Sequence, residues 1–172
     1  GVADNDTRLL GIAVQAGLLS GHTEEDVNLV NAPQMADERG IEVIEIKDAT
    51  ADEFTDLVRV TIQSGADVVT VGGTNVGPKN LPYLVSIWDQ SFYLPFAEHM
   101  AVFRYADQPG MIGKVGSLFG EQGVNIGSAA VGAESGSHKA VMVVTADAPV
   151  SDETIETIKA VDGFAAGYAI EL

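Results

Sequence analysis

The segment 100–126 constrains this chain more than any other, because it reads as a short apolar strand, a turn, an amphipathic helix and the start of a second strand. The turn has the sequence DQPG, with Asp107 at its start and Gly110 at the predicted helix N-terminus. Backbone N–H groups are unpaired at a helix N-terminus and attract anions. A carboxylate can bind there while Asp107 faces an ammonium group. The loop therefore suits a small zwitterion.

The residues from 99 onward predict a small domain of strands and helices. The expected elements are strand 101–105, helix 111–122, strand 125–133, a turn at 134–137, strand 139–145, a helix from Ser151 to about residue 161, and strand 164–172. Ser151 is a typical N-cap, and Asp152 and Glu153 suit the first helical turn. The order βαββαβ predicts a ferredoxin-like fold.

Residues 1–98 predict a separate domain in which helices pack on a mostly antiparallel sheet. Apolar residues recur at helical spacing over 6–19. Thr23 predicts the start of a second helix, which Pro33 interrupts and Gly40 ends. Alternating or valine-rich runs predict strands at 42–47, 56–63, 67–74, 84–88 and 91–94, with turns at 64–67 and 89–90. The fold class is therefore α+β, with domains 1–98 and 99–172.

The composition excludes several classes of function. The net charge is −16, whereas a nucleic-acid-binding surface is basic. The absence of cysteine excludes disulfides and thiolate chemistry. The three histidines lie on different predicted elements, so we expect no metal site. No apolar run approaches the roughly 20 residues of a membrane span, and no signal peptide is visible. We therefore expect a cytoplasmic protein that does not bind membranes.

The chain carries no motif for nucleophilic catalysis or dinucleotide binding, so we expect no catalytic residue and no bound cofactor. The sequence GGTNVGPK at 72–79 differs from the phosphate-binding pattern GxxxxGK[ST], and no helix signal follows it directly. We interpret this segment as a turn that ends a strand.

Several motifs resemble those of known families. The segment 100–126, with its DQPG turn and the sequence VNI at the next strand, is similar to the ACT domain, a small amino-acid-sensing module. Upstream, VNLVNAP, ERGI, and GT followed by GP resemble the intervening domain of long D-3-phosphoglycerate dehydrogenases. The resemblance covers nearly all of this chain but only the C-terminal part of such an enzyme. It implies that a catalytic part and at least one strand of the first domain lie upstream.

The resemblance also implies a site for L-serine. ACT domains of these dehydrogenases bind L-serine through a polar residue at the strand end, a polar residue two positions later, and the asparagine of VNI. The matching residues are Tyr105, Asp107 and Asn125, which we expect to converge above the helix N-terminus. Gly110 and Gly113 can let a ligand approach the backbone, or can serve only turn geometry and subunit packing. From spacing alone, Asp107 as a simple helix cap and Asn125 as a loop-shaping residue remain alternatives.

A second anion site in the first domain is a weaker expectation. Some members of the family use the intervening domain as an effector or phosphate site, with basic residues after the Gly-Pro. This chain has Tyr83 and Pro95 at the places where we expect those bases, which argues against such a site. If the site is present, Asn31, Arg39 and Lys79 are its candidate residues.

The resemblance implies that the parent enzyme performs NAD-dependent oxidation of 3-phosphoglycerate, the first step of serine biosynthesis. This chain alone should be inactive, with NAD bound elsewhere in the parent. It should bind L-serine as a feedback effector, form a homodimer or homotetramer through its ACT domains, and restrain the catalytic domains. Two alternatives remain open, namely a regulatory domain of an L-serine dehydratase and a purely structural oligomerisation module.

Overall fold

The computed structural model describes residues 1–48, 54–88, 90–133 and 138–172. The elements in chain order are a 3-10 helix (Val2–Asp4), α1 (Arg8–Leu19), α2 (Ala32–Glu38), β1 (Leu57–Ser64), β2 (Asp67–Val76), β3 (Leu81–Ile87), β4 (Gln90–Pro95), β5 (His99–Ala106), α3 (Met111–Glu121), β6 (Ile126–Ala133), β7 (Lys139–Ala146), α4 (Asp152–Lys159) and β8 (Phe164–Glu171). The chain forms two compact units, Gly1–Leu57 and Val58–Leu172. The predicted domain division between residues 98 and 99, and the packing of the first two helices on a sheet, stay predictions.

The first unit has a small apolar core between α1 and α2. Leu19, Met35 and Ala36 are buried, and Val27 and Ile41 pack against them. Helix α1 confirms the helix predicted at 6–19. Few other apolar side chains among the described residues of this unit join the core, so its burial is limited.

Helix α2 begins at Ala32, so the predicted start at Thr23 is wrong. The Thr23 hydroxyl instead donates to the carbonyl of Glu25 at 2.8 Å. The Asn28 side chain accepts the N–H of Asn31 at 3.1 Å, and the Asn31 side chain accepts the N–H of Asn28 at 2.8 Å. Such side-chain bonds offer the backbone an alternative to the helix, which is why acids after a threonine did not start one here.

Pro33 lies in the first turn of α2, where its missing N–H has no helical partner to lose. It therefore lies at the start of a helix rather than interrupting one, contrary to the prediction. Gly40 has φ +68° just after the helix, and the predicted helix end is confirmed.

The strand predicted at 42–47 is wrong, because these residues form no strand. Alternation of apolar and acidic residues is only a local preference, and a strand also needs a neighbour for its backbone hydrogen bonds. Val43, Ile44 and Ile46 are all exposed, with 85% of the Ile46 surface open to solvent. Residues 42–47 therefore pair with no strand among the described residues.

Strands β1 to β4 form one sheet in chain order. β2 pairs antiparallel with β3, and β3 pairs antiparallel with β4. The strands predicted at 56–63, 67–74, 84–88 and 91–94 are confirmed, with ends shifted by up to a few residues. In the predicted turn at 89–90, Gln90 belongs to β4 and residue 89 lies outside the described residues.

Strands β5 to β8 form a second antiparallel sheet, of order β6-β7-β5-β8. Helices α3 and α4 cover one face, where Phe103 and Met142 of the strands meet Phe119 and Ile158 of the helices. The βαββαβ order and the α+β, ferredoxin-like fold are confirmed. The Ser151 hydroxyl oxygen accepts the N–H of Thr154 at 3.2 Å, which confirms the predicted N-cap of α4. The turn predicted at 134–137 lies outside the described residues.

The other face of the second sheet is covered by the hairpin of β3 and β4. Leu84, Ile87 and Leu94 of the hairpin form one apolar cluster with Met100 and Val102 of β5. Strand β5 is therefore buried on both faces, which explains its nearly continuous apolar sequence. A strand held on both faces is a rigid support for the loop that follows it.

Candidate functional site

The end of β5 positions the first two candidate residues, Tyr105 and Asp107. Tyr105 is 4% exposed, and its ring lies 5.7 Å from that of Phe164 in the core beneath the helices. Asp107 is exposed, and its backbone N–H donates to the carbonyl of His138 at 3.1 Å. The two residues thus differ in environment, since one is anchored in the core and the other presents its carboxylate to solvent.

Burial, and to a smaller extent the charge of Asp107, raises the pKa of the Tyr105 phenol above its ordinary value of 10.0. A phenol with the ordinary pKa of 10.0 is already protonated at neutral pH, so the Tyr105 phenol is a neutral hydrogen-bond donor there. A neutral donor beside a carboxylate suits a site that must hold both an anionic and a cationic group.

Gly110 is the N-cap of α3, with φ +92°, a conformation that favours glycine. Its carbonyl accepts the N–H of Lys114 at 3.1 Å. Among the described residues no side chain caps this helix, so Asp107 does not act as the cap. The first N–H groups of α3 are therefore available to an anionic ligand.

Gly113 lies in the exposed first turns of α3, and a Cβ atom there would meet no other atom within 4 Å. Gly113 also borders a shallow depression of about 430 Å³ on the outer side of α3. The depression is lined by Gly113, Lys114, Ser117, Leu118, Glu121 and Val161. Gly113 thus leaves space beside the helix rather than relieving a contact within the chain.

Asn125 lies at the opposite end of the sheet from Asp107, so the expected convergence within one chain is wrong. Ile126 and His99 both lie opposite Ala146, which places Asn125 beside the start of β5. The physical reason is topological, because β5 and β6 are each antiparallel to β7 and therefore run in the same direction. The eight residues of β5 separate the two ends by about 23 Å.

Asn125 makes backbone contacts at its own end of the sheet. Its N–H donates to the carboxylate of Asp147 at 2.9 Å, and its carbonyl accepts the N–H of Asp147 at 3.1 Å. Neither of these bonds uses the amide side chain of Asn125, which is exposed. The loop-shaping role that spacing alone left open is thus carried by the backbone, and the side-chain amide is available for other partners.

The candidates for a second anion site are divided between the two units. Asn31 and Arg39 belong to the first unit, and Lys79 belongs to the second. The Asn31 side chain bonds to its own loop, donating to the carbonyl of Asp26 at 2.8 Å. Arg39 donates to the carbonyl of Met35 at 3.1 Å. These local bonds do not define an anion site, which stays a prediction.

The segment 72–79 ends a strand, as predicted. Residues 72–76 belong to β2, and residues 77–80 form the turn to β3. The N–H of Asn80 donates to the carbonyl of Gly77 at 3.1 Å, and both residues have positive φ. Lys79 lies exposed in this turn, and no helix N-terminus is present there to bind a phosphate.

The described residues contain no group of three or more metal-ligating side chains placed to bind a metal ion. None of their helices is both long enough and apolar enough to span a membrane.

The ferredoxin-like sheet with two helices on one face is the architecture of the ACT class of regulatory domains, and residues 99–163 match the family model described as ACT domain. Residues 1–88 match the family model described as D-3-phosphoglycerate dehydrogenase intervening domain. The chain therefore belongs to the D-3-phosphoglycerate dehydrogenase family.

Curated relatives agree with this assignment. The chain is 31% identical over 160 residues to the D-3-phosphoglycerate dehydrogenase of Mycobacterium leprae, which covers 92% of this chain and 30% of that protein. It is 32% identical over 163 residues to the Synechocystis sp. enzyme, with 95% of this chain and 29% of the relative covered. It is 32% identical over 158 residues to the Methanocaldococcus jannaschii enzyme, with 92% and 30% covered. The chain spans about a third of the length of these relatives.

Proposed function

We propose that this chain binds L-serine at the N-terminus of α3 and is the regulatory part of a D-3-phosphoglycerate dehydrogenase. The observation that carries the proposal is the open N-terminus of α3 at Gly110, beside the exposed carboxylate of Asp107. The ligand carboxylate would accept hydrogen bonds from the first N–H groups of α3, and the ammonium group of the ligand would face Asp107. Each of these hydrogen bonds has an ionised partner, and such bonds are stronger than hydrogen bonds between neutral groups.

A second copy of the chain supplies the missing asparagine in this proposal. Strand β6 is an edge of the second sheet, and most of its residues are exposed and small. An unpaired edge strand is a template for pairing with another chain. In a two-fold dimer joined by antiparallel β6 strands, the second copy runs in the reverse direction. Its Asn125 then lies at the same end of the joined sheet as Asp107 of the first copy.

This arrangement assigns each residue a role. Asp107 holds the ammonium group, and Asn125 of the second copy donates to the ligand carboxylate or exchanges hydrogen bonds with the ligand hydroxyl. Tyr105 supports the loop from the core with a protonated phenol. Gly110 and Gly113 keep the ligand's approach to the helix backbone free of side chains. A ligand that touches two copies changes the free energy of their association, which is the requirement for regulation through assembly.

The proposal extends to the parent enzyme. Its catalytic part would oxidise 3-phosphoglycerate with NAD, and L-serine would restrain it by favouring one arrangement of subunits. A coupling free energy of roughly 1–3 kcal/mol gives a 5- to 150-fold effect on affinity. Because the intervening domain and the ACT domain lie in one chain, a change of ACT pairing can move the attached catalytic part.

Calorimetric titration with L-serine tests the proposal, with D-serine and L-alanine as controls. We expect saturable, L-selective binding by the wild-type chain. Asn125→Ala should weaken it by more than Lys79→Ala does, because Lys79 lies in the turn between β2 and β3. No binding up to high millimolar L-serine would instead favour a purely structural oligomerisation module.

A mixing experiment tests the two-copy site directly. Asp107→Ala and Asn125→Ala chains should each bind L-serine weakly, whereas their mixed dimers contain one site with both residues intact. Denaturing and refolding the two variants together should therefore restore binding of wild-type affinity to a fraction of the sites. If refolded mixtures bind no better than the separate variants, the two residues do not act across a dimer.

A further inference from the structure

Arg104, on the other face of the second sheet, has no acceptor among the residues that the structure describes. Arg104 alternates with Phe103 and Tyr105, which face the helices, so it lies on the face that the β3–β4 hairpin covers. The residues directly opposite it on the neighbouring strands are Val141 and Ala166. Neither neighbour can neutralise its charge.

The other bases of the described chain are either bonded or exposed. Arg8, Lys47 and Lys159 pair with carboxylates, Arg39 and Lys114 donate to carbonyls, and Lys139 has a polar partner. Arg59 and Lys79 are exposed, where water satisfies them. Arg104 is half-buried, and its guanidinium donates to no oxygen of the described residues. Its N–H donors are therefore not taken up by the described residues, which leaves them open to water or to a ligand.

Aromatic side chains fix the position of this guanidinium. Its carbon lies 5.6 Å from the centre of the Trp88 ring, within the range of a cation–π contact. The Trp88 ring in turn lies 6.2 Å from the ring of Tyr168 on β8. Both contacts lie within the second unit, and Tyr168 lies opposite Val102, on the same face as Arg104.

Trp88 is held in an unusual backbone conformation. Its φ is +49°, in the left-handed region that bulky residues rarely adopt. Its N–H donates to the carbonyl of Thr70 at 2.9 Å, which ties this residue to the neighbouring strand. Such strained residues concentrate at ligand sites, where the surrounding structure holds them in place. This backbone conformation accompanies the contact between the indole ring and Arg104.

We infer that Arg104, Trp88 and Tyr168 form a binding site for a small oxyanion, namely a carboxylate or a phosphate group. With one face of the guanidinium on the indole, its planar edge can donate two parallel N–H bonds to such a group. The Tyr168 side chain is 54% exposed, and its hydroxyl can donate a third bond. A specific site is needed because the net charge of −16 repels anions from the surface in general.

Trp88 makes this site directly measurable, because it is the only tryptophan of the chain. Its fluorescence should change saturably as inorganic phosphate or acetate replaces chloride at constant ionic strength. The two probes distinguish a phosphate ligand from a carboxylate ligand. Saturation by either probe supports the site, provided that it depends on Arg104.

Variants separate a specific site from a general salt effect. Arg104→Gln should weaken the fluorescence response at least about tenfold, and Arg104→Lys should weaken it less, because lysine keeps the charge and loses the bidentate edge. Tyr168→Phe should weaken it a few fold. The matched control Arg59→Gln, which removes an exposed base from β1 of the other sheet, should have no effect. Far-UV circular dichroism checks that each variant is folded.

The inference does not depend on the proposed function, because the site lies on the face of the sheet opposite α3. Asp107→Ala should therefore leave the phosphate and acetate titrations unchanged. The absence of a saturable response in the wild-type chain to both probes would overturn the inference. The inference would also be overturned if Arg104→Gln and Arg104→Lys gave the same fluorescence response as the wild-type chain.

Discussion

The two units of this chain differ in what happens to their apolar residues. In the unit Val58–Leu172, both faces of strand β5 are covered, and core side chains such as Phe103, Phe119 and Met142 are fully buried. In the unit Gly1–Leu57, the core consists of Leu19, Met35 and Ala36, while Val30, Ile44 and Ile46 stay exposed. Apolar periodicity therefore specifies a structure only where a second element is present to cover it.

The largest expected effect is on stability, and it tests this contrast directly. Phe119→Ala should lower the free energy of unfolding by about 3–5 kcal/mol, because the ring is fully buried against Phe103. Ile46→Ala, at a residue that is 85% exposed, should change it by less than about 0.5 kcal/mol. Urea unfolding followed by far-UV circular dichroism measures both. Equal effects of the two variants would contradict the contrast between the units.

The predictions made from the sequence succeeded and failed along the same division. All six elements of the βαββαβ order were predicted, because each amphipathic pattern there meets a partner surface. In the first unit, the strand at 42–47 and the helix start at Thr23 were wrong. The alternation at 42–47 found no neighbouring strand among the described residues. The threonine was followed by asparagines whose side chains bond to their own loop.

The candidate site was predictable only where it is local. Asp107 and Gly110 follow from one strand, one turn and one helix, so a short pattern suffices to place them. The position of Asn125 depends on the order of three strands, which a local pattern does not contain. Arg104, Trp88 and Tyr168 come from three separate parts of the fold, and no sequence spacing indicated their contact.

The next largest effect concerns ligand binding, and it tests which of the two units holds the effector. Asp107→Ala should weaken L-serine binding by about 10- to 150-fold, the loss expected for a charged hydrogen bond of roughly 1.5–3 kcal/mol. Stability should be unchanged, because Asp107 is exposed. Arg39→Ala, in the first unit, is the control and should leave calorimetric binding unaffected. A larger loss from Arg39→Ala would move the site to the first unit.

A smaller effect compares a threonine and a serine that the same sequence rule identified as helix caps. Ser151→Ala should cost about 1 kcal/mol of unfolding free energy, because the hydroxyl oxygen accepts a backbone N–H of α4. Thr23→Ala should cost no more than a few tenths of a kcal/mol, because Thr23 bonds within a loop and caps no helix. Thermal or urea unfolding of the two variants measures the difference. A cost for Thr23→Ala equal to that of Ser151→Ala would indicate a helix start at Thr23.

The smallest effect appears only at alkaline pH and measures how firmly the second unit anchors its ligand loop. Because burial raises the pKa of Tyr105 in the folded chain, the unfolded chain loses this proton first, near the ordinary value of 10.0. The folded chain then binds more protons than the unfolded chain, so stability should fall as pH rises above 10.0. Tyr105→Phe should remove this part of the alkaline decline, whereas Tyr93→Phe, at an exposed position in the same unit, is the control. Unfolding free energies measured from pH 8 to 11 would decide the matter, since a decline unchanged in Tyr105→Phe means that the phenol is not held in the core. In that case β5 would not rigidly support the Asp107 loop, and the contrast in burial between the two units would not extend to this end of β5.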